Sequence, residues 1–175
     1  MSLREAIVAD ARVTSALRFE PHERSRLGTV AQVLRLMLVT DAFAAQVLYR
    51  LRVRLKGVPL LPHLLHRLSI QLGQVSIGAP VVMDPGVYLI HGQVVIDGIV
   101  RIGSGTQIGP FVTIGLRGQD LRGPTIGPSV FVGTGAKLIG PITIGEGARI
   151  GANAVVIDDV AAGATVVGAP ARQVA

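Results

Sequence analysis

His91 is the one histidine in the glycine-rich second part of the chain, residues 73–175. Near neutral pH an imidazole can accept the proton of a weak nucleophile such as an alcohol, so His91 is a candidate general base. The chain has no cysteine, which excludes a disulfide framework, a thiolate zinc site and a cysteine nucleophile. Ser76, Ser104 and Ser129 have no base beside them in the sequence. A lone histidine is also compatible with a structural role, so the position of His91 in the fold is needed to distinguish the two interpretations.

Aliphatic residues recur at every sixth position through this second part. The series runs from Ile90 to Ile114 and, after a gap of twelve residues, resumes from Ile126 to Val156, with glycine following most of its members. A period of six matches neither the α-helical period nor the coiled-coil heptad, but it is a signature of parallel β-helices. A glycine-rich antiparallel sandwich would instead require alternation with a period of two. The sequence therefore predicts about five stacked coils of a parallel β-helix.

Charge and glycine content divide the chain into two segments. Residues 1–72 hold 11 of the 17 basic residues and 5 of the 11 acidic ones, whereas 20 of the 22 glycines lie beyond them. We predict a helical segment over 1–72, with an amphipathic run at 33–48 and a short helix over 63–72. The β-helix domain is predicted over 73–175.

The gap in the repeat lies between Ile114 and Ile126 and reads GLRGQDLRGP. It lacks the inward aliphatic spacing, so we predict an exposed loop over 116–124. Loops that project from rigid scaffolds commonly carry function, which suggests a role in covering substrate, and a tolerated insertion is the alternative.

From Gly133 to Val174 the sequence resembles the hexapeptide acyltransferases, in their serine acetyltransferase-like branch, and the closing VVGAPAR is a specific marker. The opening LREAIVADARVTS is similar to the start of that branch. The resemblance implies a left-handed parallel β-helix with a short α-helical N-terminal segment. It also implies a homotrimer with sites between subunits, and transfer of an acetyl group from acetyl-CoA to a hydroxyl. Whether trimers pair is left open by the sequence.

The resemblance assigns roles to individual residues. His91, in the stretch GVYLIHGQVVIDG, matches the catalytic histidine of the family. Small residues that let the pantetheine arm approach, and arginines whose planar guanidinium suits phosphate, are implied to bind acetyl-CoA. These cofactor positions are Gly115, Thr134, Arg149, Ala152 and Arg172. Solvated surface arginines are the alternative for the two cations. Arg117 and Arg122 in the loop are candidates for binding a carboxylate of the acceptor.

Three positions depart from the serine acetyltransferase pattern. Ile90 and Ser76 stand where that pattern has acidic residues, and Gly123 stands where it has a histidine. Sugar and polysaccharide acetyltransferases of the same branch resemble the chain better at these positions. We therefore predict an acetyl-CoA-dependent O-acetyltransferase for a sugar or polysaccharide precursor, with direct attack and His91 as the base. A genuine serine O-acetyltransferase and a non-catalytic β-helix scaffold are the alternatives. The carboxylates of Asp97 and Asp120 are compatible with reaching a neighbouring subunit's site or with solvated turns.

Composition argues against several other partners. The basic residues lie on a predicted apolar helix without interleaved aromatic residues, so no nucleic acid is predicted. His63 and His66 share a helix face without a third ligand, so no metal site is predicted. The stretch YRLRVRLK at 49–56 is compatible with peripheral membrane contact, although a solvated helix is preferred. The chain shows no secretory signal and no spanning segment, and a cytoplasmic location is expected.

Overall fold

Four helices form the N-terminal part of a computed structural model that describes residues 2–20 and 25–174. Their bounds are α1 (Leu3–Leu17), α2 (Arg26–Val39), α3 (Asp41–Arg54) and α4 (Leu61–Gly73). Ser2 caps α1 in a reciprocal capping box with Glu5, and Ser25 caps α2. The apolar run predicted at 33–48 is split, because Thr40 is extended and α2 and α3 meet at 118°.

The chain then winds into a β-helix with three faces. Each face is a parallel sheet to which the successive coils add short strands. Sheet A has the order β1-β4-β7-β10-β13, sheet B has β11-β8-β5-β2, and sheet C has β15-β14-β12-β9-β6-β3. Only β15 pairs antiparallel among the described strands. The bounds are β1 (Val75–Ile77), β2 (Val82–Met83), β3 (Tyr88–Leu89), β4 (Val94–Ile96), β5 (Ile99–Ile102), β6 (Gln107–Ile108), β7 (Thr113–Gly115), β8 (Arg122–Ile126), β9 (Phe131–Val132), β10 (Lys137–Ile139), β11 (Thr143–Ile144), β12 (Arg149–Ile150), β13 (Val155–Val156), β14 (Thr165–Val167) and β15 (Arg172–Val174).

The register shows why the period is six. Ile96 pairs with Ile114, and Ile114 pairs with Leu138, so equivalent aliphatic residues stack inside the coils and are fully buried. Three hexapeptides complete one coil, and the five strands of sheet A mark five successive coils. At some corners the backbones of neighbouring coils touch: a Cβ on Gly103 would lie 2.6 Å from the nitrogen of Pro128. The predicted left-handed parallel β-helix with short N-terminal helices is confirmed.

The helices attach to the first coil through a buried polar network. Arg50 donates to both carboxylate oxygens of Asp10, at 2.8 and 3.1 Å, and to the carbonyl of Asp84 at 2.8 Å. Asp10 also accepts from the backbone N–H of Gly86 at 2.7 Å. Burial raises the pKa of Asp10, and the hydrogen bonds from Arg50 oppose that effect. The Tyr49 hydroxyl continues the network to the backbone of the same coil.

The loop leaves the coil between sheets A and B and is shorter than predicted. It spans 116–121, because Arg122 already begins β8 and Gly123 and Pro124 are buried in that strand. Residues 117–119 are exposed, and Gly118 turns the chain with φ of +65° so that Arg117 and Asp120 form an antiparallel bridge.

No single helix among the described residues is long and apolar enough to span a bilayer. Residues 27–39 and α3 satisfy length and composition only as a pair, across the 118° bend.

Candidate active site

His91 lies at a corner of the β-helix that holds one extra residue. It follows β3 on sheet C and precedes β4 on sheet A, so it lies on the edge between those two faces. Leu89 and Ile96 are the inward residues on either side, and their spacing is seven instead of six. The left-handed backbone conformation of Gln93, with φ of +62°, accommodates the extra residue. The imidazole of His91 projects outward with 62% of its surface exposed, which leaves it accessible to a substrate.

A carboxylate from the helical segment lies beside this histidine. The Oδ1 atom of Asp41 is 3.6 Å from Nδ1 of His91. The Oδ2 atom of Asp41 accepts a hydrogen bond from the backbone N–H of Gly92 at 3.1 Å, and Oδ1 accepts from that of Ala42 at 2.9 Å. The contact of Asp41 with His91 is not predicted by the sequence, because fifty residues separate the two. The available signal was an aspartate at the start of a helix, which is common in any protein.

Two glycines allow α3 and α4 to approach the corner. A Cβ on Gly92 would overlap with the carbonyl oxygen of Gly73, and a Cβ on Gly73 would lie 2.5 Å from the carbonyl oxygen of Asp41. Beside this three-way backbone contact lies a polar cleft of about 190 Å³. Its lining residues are Asp41, Gln71, Leu72, Gly73, Gln74, Gly92 and Gln93.

Four of the cofactor candidates lie on the same side of the β-helix as His91. Thr134 falls between β9 and β10, and Ala152 between β12 and β13, so both lie on the edge between sheets C and A. Arg149 is on sheet C, with its guanidinium carbon 5.4 Å from the ring centroid of Phe131. Arg172 begins β15 at the end of the same sheet and lies 3.8 Å from the carboxylate of Asp158.

The remaining candidates lie on a different edge. Gly115 ends β7, and Arg117 follows it in the loop between sheets A and B, where Arg117 packs against the corner at Gly140. Arg122 is held by Asp120 through contacts of 2.7 and 3.1 Å, and these hydrogen bonds lower the pKa of Asp120 to about 2. Within one chain, sheet A therefore separates these three residues from the edge that carries His91.

The departures from the serine acetyltransferase pattern are visible at the site. Ser76 lies on the outer side of β1, and Ile90 directly precedes His91, so neither supplies a carboxylate. A Cβ on Gly123 would lie 2.5 Å from a methyl group of Val100, which leaves no room for a side chain in the present packing. Across residues 2–20 and 25–174, no group of three or more histidine, aspartate or glutamate side chains is arranged to hold a metal ion.

Sequence comparison identifies the repeat. Residues 123–158 match the family described as bacterial transferase hexapeptide (six repeats). A search of curated proteins by sequence gives no match. Hexapeptide periodicity, stacked parallel coils and an exposed histidine on one edge together define a hexapeptide-repeat transferase.

Similar solved structures show which family of hexapeptide-repeat transferases this is. The soybean serine acetyltransferase complexed with serine is 34% identical, with a TM-score of 0.81 over 99% of this chain and 70% of that chain. A serine acetyltransferase in complex with CoA is 26% identical, with a TM-score of 0.81 over 99% and 70% of the two chains. The Neisseria gonorrhoeae enzyme in complex with serine is 29% identical, with a TM-score of 0.80 over 97% and 68%. The chain belongs to the serine acetyltransferase family, and the predicted class of enzyme, an O-acetyltransferase, is confirmed.

Proposed function

We propose that this protein is a serine O-acetyltransferase that uses acetyl-CoA as the donor and His91 as the general base. The observation that carries the proposal is the exposed imidazole of His91, with the carboxylate of Asp41 at 3.6 Å, in a chain 34% identical to an enzyme crystallised with serine. Serine replaces the sugar acceptor favoured from the sequence alone, because the similar structures are serine acetyltransferases.

The reaction follows from the groups at this edge. As the acceptor hydroxyl attacks the thioester carbonyl, its proton passes to Nε2 of His91 and a C–O bond forms. The tetrahedral oxyanion is stabilised by a backbone N–H near Gly115 of a neighbouring subunit. Collapse breaks the C–S bond, and the imidazolium returns its proton to the leaving CoA thiolate. Because the chain has no cysteine, a ternary complex is favoured over an acyl-enzyme.

The residues on the His91 side suit acetyl-CoA. Thr134 and Ala152 are small and exposed on the same edge, which lets an extended pantetheine arm lie against the backbone. Arg149 and Arg172 place two guanidinium groups on the adjoining face, and the planar fork of each suits a phosphate. Neither cation is buried, so their contribution to affinity depends on ionic strength.

A complete site requires a second copy of the chain. Within one subunit the edge with His91 and the edge with Gly115, Arg117 and Arg122 are separated by sheet A. Packing the edge of one β-helix against the other edge of its neighbour brings the two sets together, and closing that contact around a threefold axis gives the homotrimer.

A sugar acceptor is the second candidate, and the cleft beside His91 favours it. Three carboxamides, those of Gln71, Gln74 and Gln93, line this cleft, and amides are suited to a neutral polyhydroxyl ligand. Arg122 is paired with Asp120 and would have to exchange that partner in order to bind the carboxylate of serine.

Turnover with acetyl-CoA decides between the acceptors. We expect CoA release with serine to exceed that with hexoses, nucleotide sugars and oligosaccharides, and O-acetylserine to be identified by mass spectrometry. His91→Ala should lower kcat by about 10²-fold or more with little change in CoA affinity, since a general base acts mainly in the transition state. His63→Ala, an exposed histidine on α4, is the matched control. Saturable sugar acetylation without serine turnover would reverse the acceptor assignment, and CoA binding without any turnover would support the scaffold.

A further inference from the structure

We propose that Asp41 is the positioning residue for His91, holding the imidazole as the tautomer with hydrogen on Nδ1 so that Nε2 is free to accept the proton. This assignment rests on the proposed role of His91 as the base. It moves the carboxylate of the site from the β-helix, where the family pattern places it, to the first turn of α3.

The ring nitrogen that faces Asp41 sets the tautomer of His91. Nδ1 is the ring nitrogen that lies 3.6 Å from Oδ1 of Asp41, and a carboxylate can only accept a hydrogen bond. A neutral imidazole carries its hydrogen on one nitrogen, so an acceptor at Nδ1 favours the Nδ1–H form. The distance exceeds a hydrogen bond by a few tenths of an ångström. Contacts of this kind tighten when substrate binds or when the ring gains a proton.

Backbone contacts fix Asp41 relative to the histidine. Its two oxygens accept hydrogen bonds from the backbone N–H groups of Ala42 and Gly92. Gly92 directly follows His91 in the chain, so the carboxylate is tied to the same corner that carries the imidazole. The close approach of Gly73 to both Gly92 and Asp41 holds the start of α3 against this corner. An aspartate without these backbone contacts would not be held beside the ring.

Among the described residues, no other carboxylate forms an ion pair with His91. The ion pair of His91 is with Asp41. Ser76 and Ile90 occupy the positions where the family pattern has acidic residues. A base whose tautomer is unfixed spends part of its time with Nε2 already protonated and unable to accept. Fixing the tautomer therefore raises the fraction of productive complexes and leaves donor binding unchanged.

Asp41→Asn tests the assignment, because the amide retains an oxygen for one of the two backbone N–H groups and loses the charge that faces Nδ1. We expect kcat to fall about tenfold, well short of the ~10⁴-fold loss seen when a buried triad aspartate becomes asparagine, since this pair is solvated. KM for acetyl-CoA should stay within twofold of its wild-type value. Asp41→Ser, which keeps a side-chain oxygen near the backbone N–H of Ala42 and loses the carboxylate, should show the same loss. Asp84→Asn, an exposed aspartate elsewhere in the first coil, should behave as wild type.

A spectroscopic readout separates this proposal from the proposed function. Ring ¹⁵N shifts of His91, assigned by their loss in His91→Gln, report the two tautomers at a pH where the ring is neutral. The Nδ1–H fraction should fall in Asp41→Asn and Asp41→Ser and remain unchanged in Asp84→Asn, whether or not an acceptor has been found. Unchanged tautomer fractions in both folded Asp41 variants would overturn the assignment even if the wild type acetylates serine. A lowered fraction with no serine turnover would support the assignment and reject the acceptor.

Discussion

The β-helix and the helical segment bury their residues in opposite ways. Inside the coils, one aliphatic column such as Ile96, Ile114 and Leu138 is fully buried without a polar partner. The helical segment instead buries a charged pair, Asp10 and Arg50, and leaves large apolar side chains at the surface. Leu27, Leu38 and Leu60 are among the most exposed of these.

The difference indicates that the helices serve as the cap of the solenoid. Each coil of a β-helix contacts only the coils next to it, so the first coil has backbone groups without a partner coil on one side. Side chains of the helices occupy that side: Tyr49 bonds Val81 and Met83, and Gln46 bonds the carbonyl of Val87. The same contact brings Asp41 to His91. Closing the end of the β-helix and completing the environment of His91 are therefore one structural event.

The largest effect is expected from removing the cation of the cap. Arg50→Ala leaves the carboxylate of Asp10 buried and unpaired, which should lower the free energy of unfolding by about 4 kcal/mol. Tyr49 and Tyr88 are the two tyrosines of a chain without tryptophan, and both are buried where the helices meet the first coil. Tyrosine fluorescence during urea unfolding therefore reports this junction.

The pH dependence of that variant has a defined sign. The pKa of Asp10 is raised by burial, and removing Arg50 removes the group that opposes this effect. An acid whose pKa is raised in the folded state stabilises below its unfolded value of about 3.9, and that stability is lost as the pH rises through the folded value. Arg50→Ala should be less stable at about pH 7 than at about pH 5. Arg54→Ala, on the exposed side of the same helix, should have a free energy of unfolding within about 0.5 kcal/mol of wild type. An equal loss of stability in both variants would contradict the role of Arg50 in the helical cap.

The second effect concerns the aliphatic columns. Ile114→Ala should cost about 3 kcal/mol, because the coils above and below cannot collapse into the cavity. Val95→Ala, on the outward side of the adjacent strand of sheet A, should cost less than about 1 kcal/mol. Far-UV circular dichroism during urea unfolding measures both. Similar costs at the two positions would show that the inward column does not dominate the stability of the coils.

The same contrast explains what the sequence could predict. The coils follow from a local, repeated rule, so the period of six predicted their number and the direction of Ile96 and Ile114. Even the extra residue at the corner of His91 is visible in the sequence, because Ile77, Met83 and Leu89 are spaced by six and the later series is offset from them by one. The break at Thr40 was missed because apolar residues continue on both sides of it. The contact between Asp41 and His91 depends on how α3 docks, and no local pattern encodes a contact between residues fifty positions apart.

The smallest effect on stability, and the sharpest test of the loop edge, is expected at Asp120 and Arg122. Their pair is exposed, and hydrogen bonds from Arg122 lower the pKa of Asp120 to about 2. A lowered carboxyl pKa means that the pair is present above about pH 4 and is lost as the pH falls through about 2. In Arg122→Gln the carboxyl ¹³C titration of Asp120 should move up toward about 3.9, with no measurable change in urea unfolding.

Asp120→Asn addresses function at the same pair. It removes the internal anion that occupies the fork of Arg122, so the guanidinium is available to a carboxylate on the acceptor. If the neighbouring subunit's Arg122 binds serine through its carboxylate, KM for serine should fall about threefold or more while KM for acetyl-CoA stays constant. Serine methyl ester, which lacks the carboxylate, should gain nothing from the change. An unchanged KM for serine would mean that Arg122 fixes the shape of the loop and that the acceptor is bound by groups on the His91 edge alone.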